Sequence, residues 1–272
     1  MENKEYSVLM SVYHKEKPEF LKESIESILK QTVPTDDFLI VCDGPLTKEL
    51  DDVLAFYEQE YPDSIHTYRL KENVGLGRAL NKGLSQCKHE IVARMDSDDI
   101  SLPDRCEKQL AALEDGTDLV SGTVLEFSGS VEHISSKREL PLTHEEIMQF
   151  AGKRNPFNHP CMMYRKEAVQ KAGGYKHFYL FEDYYLWARM LNSGARGKNL
   201  KDVLLYMRAG EGMYKRRGGF TYVKSMVKFR WYLHKSGLSS LPEFLITAGG
   251  QSVICMIPNG LREKFYQKFL RK

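Results

Sequence analysis

The sequence contains no run of about 18 or more apolar residues, so no transmembrane helix is predicted. Its five cysteines (Cys42, Cys87, Cys106, Cys161, Cys255) are scattered and odd in number, with no CxxC pair. That spacing argues against a structural zinc site and a disulfide framework, and it suits a reduced, intracellular setting. There is no excess of one charge: 39 Lys and Arg stand against 37 Asp and Glu, a formal net charge of +2. A nucleic-acid partner, which usually demands a strong basic excess, is therefore not expected. Internal repeats and low-complexity segments are absent. The opening Met1-Glu2-Asn3-Lys4-Glu5 is polar and unlike a signal peptide. The first strand is followed by Tyr13-His14-Lys15-Glu16, which is no glycine-rich phosphate loop of the kind a nucleotidyltransferase would need. Gly75-Leu76-Gly77 is followed by Leu80 where a third glycine should stand, so the dinucleotide-binding fingerprint of a dehydrogenase fails as well.

What is present is a chain long enough for one large domain with an appendage, at 42% hydrophobic and 28% charged residues. The centre of interest is Ile91-Val92-Ala93-Arg94-Met95-Asp96-Ser97-Asp98-Asp99. A short run reading as a buried strand ends in three carboxylates within four residues. Carboxylates this close repel, and a hard divalent cation such as Mg²⁺ or Mn²⁺ would offset them while sharing its shell with phosphate oxygens. The plainer alternative is a solvated acidic turn capping a helix that starts near Pro103.

The elements around this stretch decide between those readings. Strands are predicted at Tyr6 to Val12, Phe38 to Cys42, Ile65 to Leu70 and Ile91 to Met95. Helices are predicted from Pro18, along Leu50 to Tyr57, and along Ala79 to Cys87. Leu21, Ile25, Ile28 and Leu29 form one buried helical face. Such alternation implies βαβ units and a parallel sheet with covered faces. Ligands of such sheets bind at the carboxyl ends of the strands, and Tyr13, Asp43 and Asp96 to Asp99 all fall there. The convergence favours the metal. In the second half, Leu119 to Phe127 and Val131 to Ile134 suggest a hairpin, Thr143 to Glu146 a capping box, and Asn155 to Pro160 a rigid loop before a strand at Cys161 to Tyr164. A helix from Lys166 should stop at Gly173-Gly174. Glu182-Asp183 opens another helix, where plain capping by the helix dipole would also explain an acidic pair. Val203 to Arg208 reads as a last strand, and Tyr222 to Leu233 as a helix. The glycine-rich stretch from Gly210 to Gly219, bearing Lys215-Arg216-Arg217, reads as a mobile basic loop. From Leu241 the tail mixes apolar residues with Arg262, Lys264, Lys268, Arg271 and Lys272. It suits either a helix lying on an anionic membrane or a helix packed on the domain.

In order, Ser7 to Tyr13, Ser24 to Thr32, Val41 to Gly44, Asn73 to Gly83, Met95 to Asp99, Leu102 to Arg105, His159 to Arg165, Gly173 to Tyr175 and Glu182 to Trp187 resemble the family 2 glycosyltransferases. These are inverting enzymes of the nucleotide-diphosphosugar, or GT-A, fold. The closest flavour is the bacterial capsule, exopolysaccharide and amylovoran type, and the resemblance spans roughly residues 6 to 235. It implies an α/β fold with a mostly parallel central sheet flanked by helices and a C-terminal helical extension. The expected division is a transferase domain at 1–235 (a donor half, 1–105, and an acceptor half, 106–235) followed by a tail at 236–272.

The resemblance further implies a UDP-sugar donor and a glycan acceptor, carried in some relatives on a polyprenyl diphosphate. Localisation would be cytoplasmic, with the tail at 241–272 either touching the inner face of the membrane or packed on the domain. Ser11, Tyr13 and Asp43 would line the donor's base and ribose, with Arg78 and Asn81 facing the same nucleotide. Asp98 would hold Mn²⁺ or Mg²⁺ directly, with Asp96 nearer the ribose and Asp99 assisting. Asp183 would be the general base and Glu182 would orient the site. Arg216 and Arg217 would either close over the diphosphate or form a solvated loop. Many relatives place a His shortly after the arginine of the last strand, where it can bind metal; here Arg208 is followed by Ala209-Gly210. A sugar-nucleotide-binding protein without activity is the competing reading within the fold.

Overall fold

The computed structural model describes residues 5–113, 116–209 and 219–256. The loop carrying Lys215, Arg216 and Arg217, and the tail beyond Met256, lie outside the described residues, so those expectations are neither met nor refused.

The first half alternates as its periodicity demands. β1 (Ser7–Val12), α1 (Pro18–Leu29), β2 (Asp37–Cys42), α2 (Lys48–Glu60), β3 (Ile65–Arg69), α3 (Leu76–Leu84) and β4 (Ile91–Asp96) follow one another. β3, β2, β1 and β4 lie side by side and parallel. The second half adds β5 (Ile100–Ser101), α4 (Arg105–Ala112), β6 (Leu119–Ser128), β7 (Ser130–Arg138) and α5 (His144–Ala151). A 3-10 turn at His159–Cys161, β8 (Met163–Arg165), α6 (Lys166–Lys171), α7 (Glu182–Asn192) and β9 (Gly197–Arg208) complete it. The sheet runs β3-β2-β1-β4-β8-β6-β9-β5, with β7 paired to β6. β8 is antiparallel to both β4 and β6, while β9 returns parallel to β6. The chain closes with α8 (Phe220–Lys235) and α9 (Leu241–Met256).

Alternation within each strand builds two cores, one on each face of the sheet. Val8, Met10, Val12, Phe38 and Ile40 face α1, α2 and α4. Leu9, Leu39, Val41 and Val92 face α3, α5 and α7, with Trp187 fully buried among them. A third cluster joins Phe181, just before α7, and Tyr184 and Ala188 of α7 to α8 (Tyr222, Met226, Phe229, Leu233) and to Cys255 of α9. All five cysteines are buried thiols outside any disulfide.

Several expected boundaries moved: α3 runs Leu76–Leu84 rather than Ala79 to Cys87, and β7 runs Ser130–Arg138 rather than Val131 to Ile134. The last strand starts at Gly197 rather than Val203, because pairing with β6 jumps from Gly122↔Leu200 to Thr123↔Val203. Lys201 and Asp202 form a bulge there, and their polarity hides the continuity of the strand. The strand expected at Cys161 begins at Met163, after the 3-10 turn.

Candidate active site

Parallel topology brings the ends of β2, β1 and β4 together. Ser11 of β1 is in register with Val41 of β2 on one side and with Asp96 of β4 on the other. Asp43, one residue past β2, is 3% exposed, and its carboxylate accepts the backbone N–H groups of Val74 (2.7 Å) and Gly75 (3.0 Å). It thereby fixes the loop leading into α3. Gly44 turns the chain away at φ +88°, where an added Cβ would lie 2.6 Å from Asn73 N. Tyr13, just past β1, is 42% exposed. Arg78 is exposed on α3. The Asn81 amide donates to Tyr175 O (2.6 Å) and accepts from Tyr175 N (2.7 Å), tying α3 to the Gly173-Gly174-Tyr175 turn. Gly174 is required there: it sits at φ +66°, and a Cβ would be 2.7 Å from Asn81 Oδ1.

At the end of β4, carboxylate oxygens of Asp96, Asp98 and Asp99 all lie within 4.8 Å of one another. The turn is not a solvated cap, since Asp99 is 1% exposed and Asp96 and Asp98 are half-buried. α4 starts later, at Arg105, with no side-chain cap from Asp104. The acids are instead held in place by their neighbours. On α1, Ser24 Oγ donates to Asp96 O (2.8 Å) and Ser27 Oγ accepts from Ser101 N (3.0 Å). Just past the helix, Gln31 Nε2 donates to Leu102 O (2.7 Å). Ser97 Oγ donates to Glu16 Oε2 (2.5 Å). From β9, the Arg208 N–H donates to Asp99 Oδ1 (2.8 Å) and its Nε to Asp98 O (3.0 Å). Its guanidinium lies over the rings of Phe20 and Phe127, 3.8 and 4.5 Å from their centroids. Thus Arg208, with no histidine after it, braces the turn through backbone and stacking.

Electrostatics mark this cluster as incomplete. Burial, then the charge of Asp96, pushes the Asp98 carboxyl up to about 7. The same two causes, with Asp98, hold Asp99 well above the usual carboxylate range. Asp99 Oδ2 is buried without a hydrogen-bond partner. An all-oxygen donor set with an orphaned oxygen and mutual repulsion fits a hard divalent cation. Asp96, Asp98 and Asp99 would hold it.

A residue read as part of the apolar run connects this cluster to the rest of the site. Arg94 is 1% exposed, and its Nη2 pairs with Asp96 Oδ1. Nε and Nη1 have no partner. Below it, Arg105 Nη2 donates to Arg94 O (2.6 Å), bracing β4. The charge of Arg94 lowers the pKa of Asp98, Asp99, Asp183 and Tyr175 and acts on His159 as well. Asp183 sits in the first turn of α7 and accepts from Asn155 Nδ2 (2.9 Å). Burial raises its carboxyl, opposed by the Tyr184 N–H, the Asn155 amide, and the charges of Arg94 and Arg138. Glu182 beside it is likewise raised by burial and faces His177 Nδ1 at 3.7 Å. His159 is kept neutral by burial and then by Arg94, with Nε2 3.0 Å from Tyr175 Oη. Arg94 and Asn155 are among the site residues to which the sequence alone assigned no role. A lone arginine inside a buried strand was the available signal for the first.

Acids at the ends of parallel strands, a cluster suited to a cation and a half-buried carboxylate at a helix start have the chemistry to receive a diphosphate-bearing ligand. Comparison with known proteins agrees. Residues 7–173 match the profile of glycosyl transferase family 2. The amylovoran biosynthesis glycosyltransferase AmsE of Erwinia amylovora is 44% identical over 82% of this chain and 83% of its own length. The UDP-Gal:alpha-D-GlcNAc-diphosphoundecaprenol beta-1,3-galactosyltransferase of Escherichia coli is 35% identical over 98% of this chain and 97% of its own. Among solved structures, the mannosyltransferase PcManGT of Pyrobaculum calidifontis, in complex with GDP-Man and Mn²⁺, superposes with a TM-score of 0.63. That likeness covers 95% of this chain and 78% of that one at 16% identity. The chain belongs to glycosyl transferase family 2, has the GT-A fold, and is a glycosyltransferase.

Proposed function

We propose that the protein transfers a sugar from a UDP-sugar to a hydroxyl of a growing cell-surface glycan held on a polyprenyl diphosphate, with inversion at the anomeric carbon. The observation that carries this reading is the trio Asp96, Asp98 and Asp99, gathered within 4.8 Å beside a buried arginine that also acts on Asp183. The names of the galactosyltransferase and of AmsE support the donor, the lipid-linked acceptor and the glycan class. The manganese in PcManGT supports the metal.

In this account Ser11, Tyr13 and Asp43 receive the nucleoside at the ends of β1 and β2, with Arg78 and Asn81 on α3 beside it. Asp98, Asp96 and Asp99 hold the cation. When bound, that ion supplies positive charge against the departing diphosphate. Asp183 accepts the proton of the acceptor hydroxyl as its oxygen bonds to the anomeric carbon, on the face opposite the breaking bond to phosphate. Arg94 favours the ionised form of Asp183, which a base requires, while burial keeps its affinity for a proton above that of a solvated carboxylate. The Asn155 amide holds the carboxylate in one orientation. Glu182 orients the site.

The test is release of UDP from a panel of UDP-sugars with a lipid-linked acceptor, comparing the wild type with Asp183→Asn. Turnover should fall by about 10²-fold or more while UDP binding persists. Unchanged turnover in the variant would remove Asp183 from the role of base. Turnover on no UDP-sugar would remove the donor class.

A further inference from the structure

α9 is unlike the other helices in what it presents to solvent. Leu245, Ile246, Val253 and Met256 are 60, 73, 67 and 69% exposed. With Gly249 and Gly250, which have nothing within 4 Å of their added Cβ positions, they form one continuous outer stripe. Scattered exposed apolar residues need no explanation, but a contiguous stripe marks a surface meant to be covered.

The polar side chains of α9 are all turned to internal use. Thr247 Oγ1 donates to Glu243 O (2.7 Å) and Ser252 Oγ to Ala248 O (2.7 Å), as hydroxyls do where water is scarce. Gln251 Oε1 accepts from Arg230 Nε (3.0 Å). Glu243, the one charged residue of α9, caps Ser240 N (2.9 Å) and pairs with Lys153 (3.2 Å).

Beside the apolar stripe lies a basic one. Lys224, Lys228, Trp231 and Lys235 occupy one exposed face of α8. Trp231 is 44% exposed and packs edge-on against Phe244 of α9, 5.3 Å between centroids, so the basic face of α8 borders the α8–α9 contact. The sequence after Met256 adds Arg262, Lys264, Lys268, Arg271 and Lys272 against a single acid, Glu263. An apolar strip flanked by lysines, with a tryptophan among them, has the chemistry of the interface between acyl chains and anionic headgroups. No helix among the described residues is long and apolar enough to cross a membrane.

We propose that the outer face of the α8–α9 hairpin docks on an anionic lipid bilayer, with α9 lying in the interface and the α8 lysines on the lipid phosphates. The hairpin is anchored through Tyr222, Met226, Phe229 and Cys255 to Phe181, Tyr184 and Ala188, which flank and belong to the helix that carries Asp183. Docking therefore fixes the bilayer relative to the acceptor side of the site, one helix layer away.

The experiment is co-flotation of the full chain with neutral phosphatidylcholine vesicles and with vesicles containing phosphatidylglycerol, at low and high salt. The wild type should float with anionic vesicles and be released by salt. The triple variant Lys224→Gln, Lys228→Gln, Lys235→Gln should partition about 100-fold less well at low salt, at about fivefold per lysine. The double variant Leu245→Glu, Ile246→Glu should lose binding to a similar degree. Trp187 is fully buried, so a blue shift of wild-type emission on adding anionic vesicles reports Trp231 and depends on no variant. Both variants should keep wild-type release of UDP in solution, which separates this test from the transferase reading. No preference for anionic vesicles, an unmoved tryptophan emission, or full binding by Leu245→Glu, Ile246→Glu would overturn the proposal. So would a wild-type dimer, ignored by vesicles, that this double variant splits, because the face would then belong to a second copy of the chain.

Discussion

Replacing Asp98 by Asn should stabilise the metal-free protein at pH 8 and abolish its response to Mn²⁺. Burial, then the charges of Asp96 and Glu16, raise the Asp98 carboxyl from 3.8 to about 7. A raised carboxyl holds its proton more tightly folded than unfolded. Stability is therefore highest below the unfolded value and is lost as pH climbs towards the folded one. The window runs from about pH 4 to about pH 7, and the full penalty reaches up to about 4 kcal/mol. Asparagine keeps the shape and removes the charge. For a chain of this size, one kilocalorie shifts the midpoint by about 2–4 °C. The variant should thus melt up to about 8–16 °C above the wild type at pH 8 in a chelator and at about the same temperature at pH 4. Mn²⁺ at a hundred times its dissociation constant should stabilise the wild type by about 2.7 kcal/mol, or about 5–11 °C, and leave the variant unmoved. Differential scanning fluorimetry across pH, with EDTA or Mn²⁺, reads all of this. A variant less stable than the wild type at pH 8, or one still stabilised by Mn²⁺, would refute the idea that these acids repel until a cation joins them.

Arg94→Met removes a charge that lowers the Asp183 pKa, so the acidic limb of the rate profile should move to higher pH, with about a tenfold loss of rate at neutral pH; a rate loss without that movement would assign Arg94 to packing alone. Gly174→Ala forces a left-handed residue against Asn81 and should destabilise by about 1–3 kcal/mol. Asn81→Ala should lose a comparable amount, and the double variant should fall short of the sum; strict additivity in denaturant titrations would deny that the two sites share one contact. Thr143→Ala breaks an intact capping box with Glu146 and should cost about 1 kcal/mol without altering turnover.

Most of the first half of the chain was legible because its elements bury one face or both, and burial imposes period. Leu21, Ile25 and Ile28 align on α1, and the runs of β1 and β2 are apolar because a parallel sheet is covered on both sides. The acids at the strand ends followed from that topology. The Gln31 side chain, buried between α1 and the turn before α4, could not be read, because a polar residue on an apolar face announces a partner without naming it. Arg94 was hidden by its neighbours, since one charge in a six-residue strand barely disturbs an apolar pattern. β5 is two residues long and exists only because Ile100 and Ser101 meet Tyr206 and Leu205 of β9, a contact set by the whole fold. The bulge in β9 was invisible for the same reason: register belongs to the pair of strands, not to either sequence.

The most direct test of the account is calorimetric titration of the full chain with UDP, in Mn²⁺ and in EDTA, for the wild type and Asp98→Ala. The account predicts that UDP binds the wild type in Mn²⁺ only, and that Asp98→Ala abolishes binding. Equal affinity for UDP in EDTA, or in the variant, would contradict it, because the nucleotide would then be held without the acidic cluster on which the proposed chemistry depends.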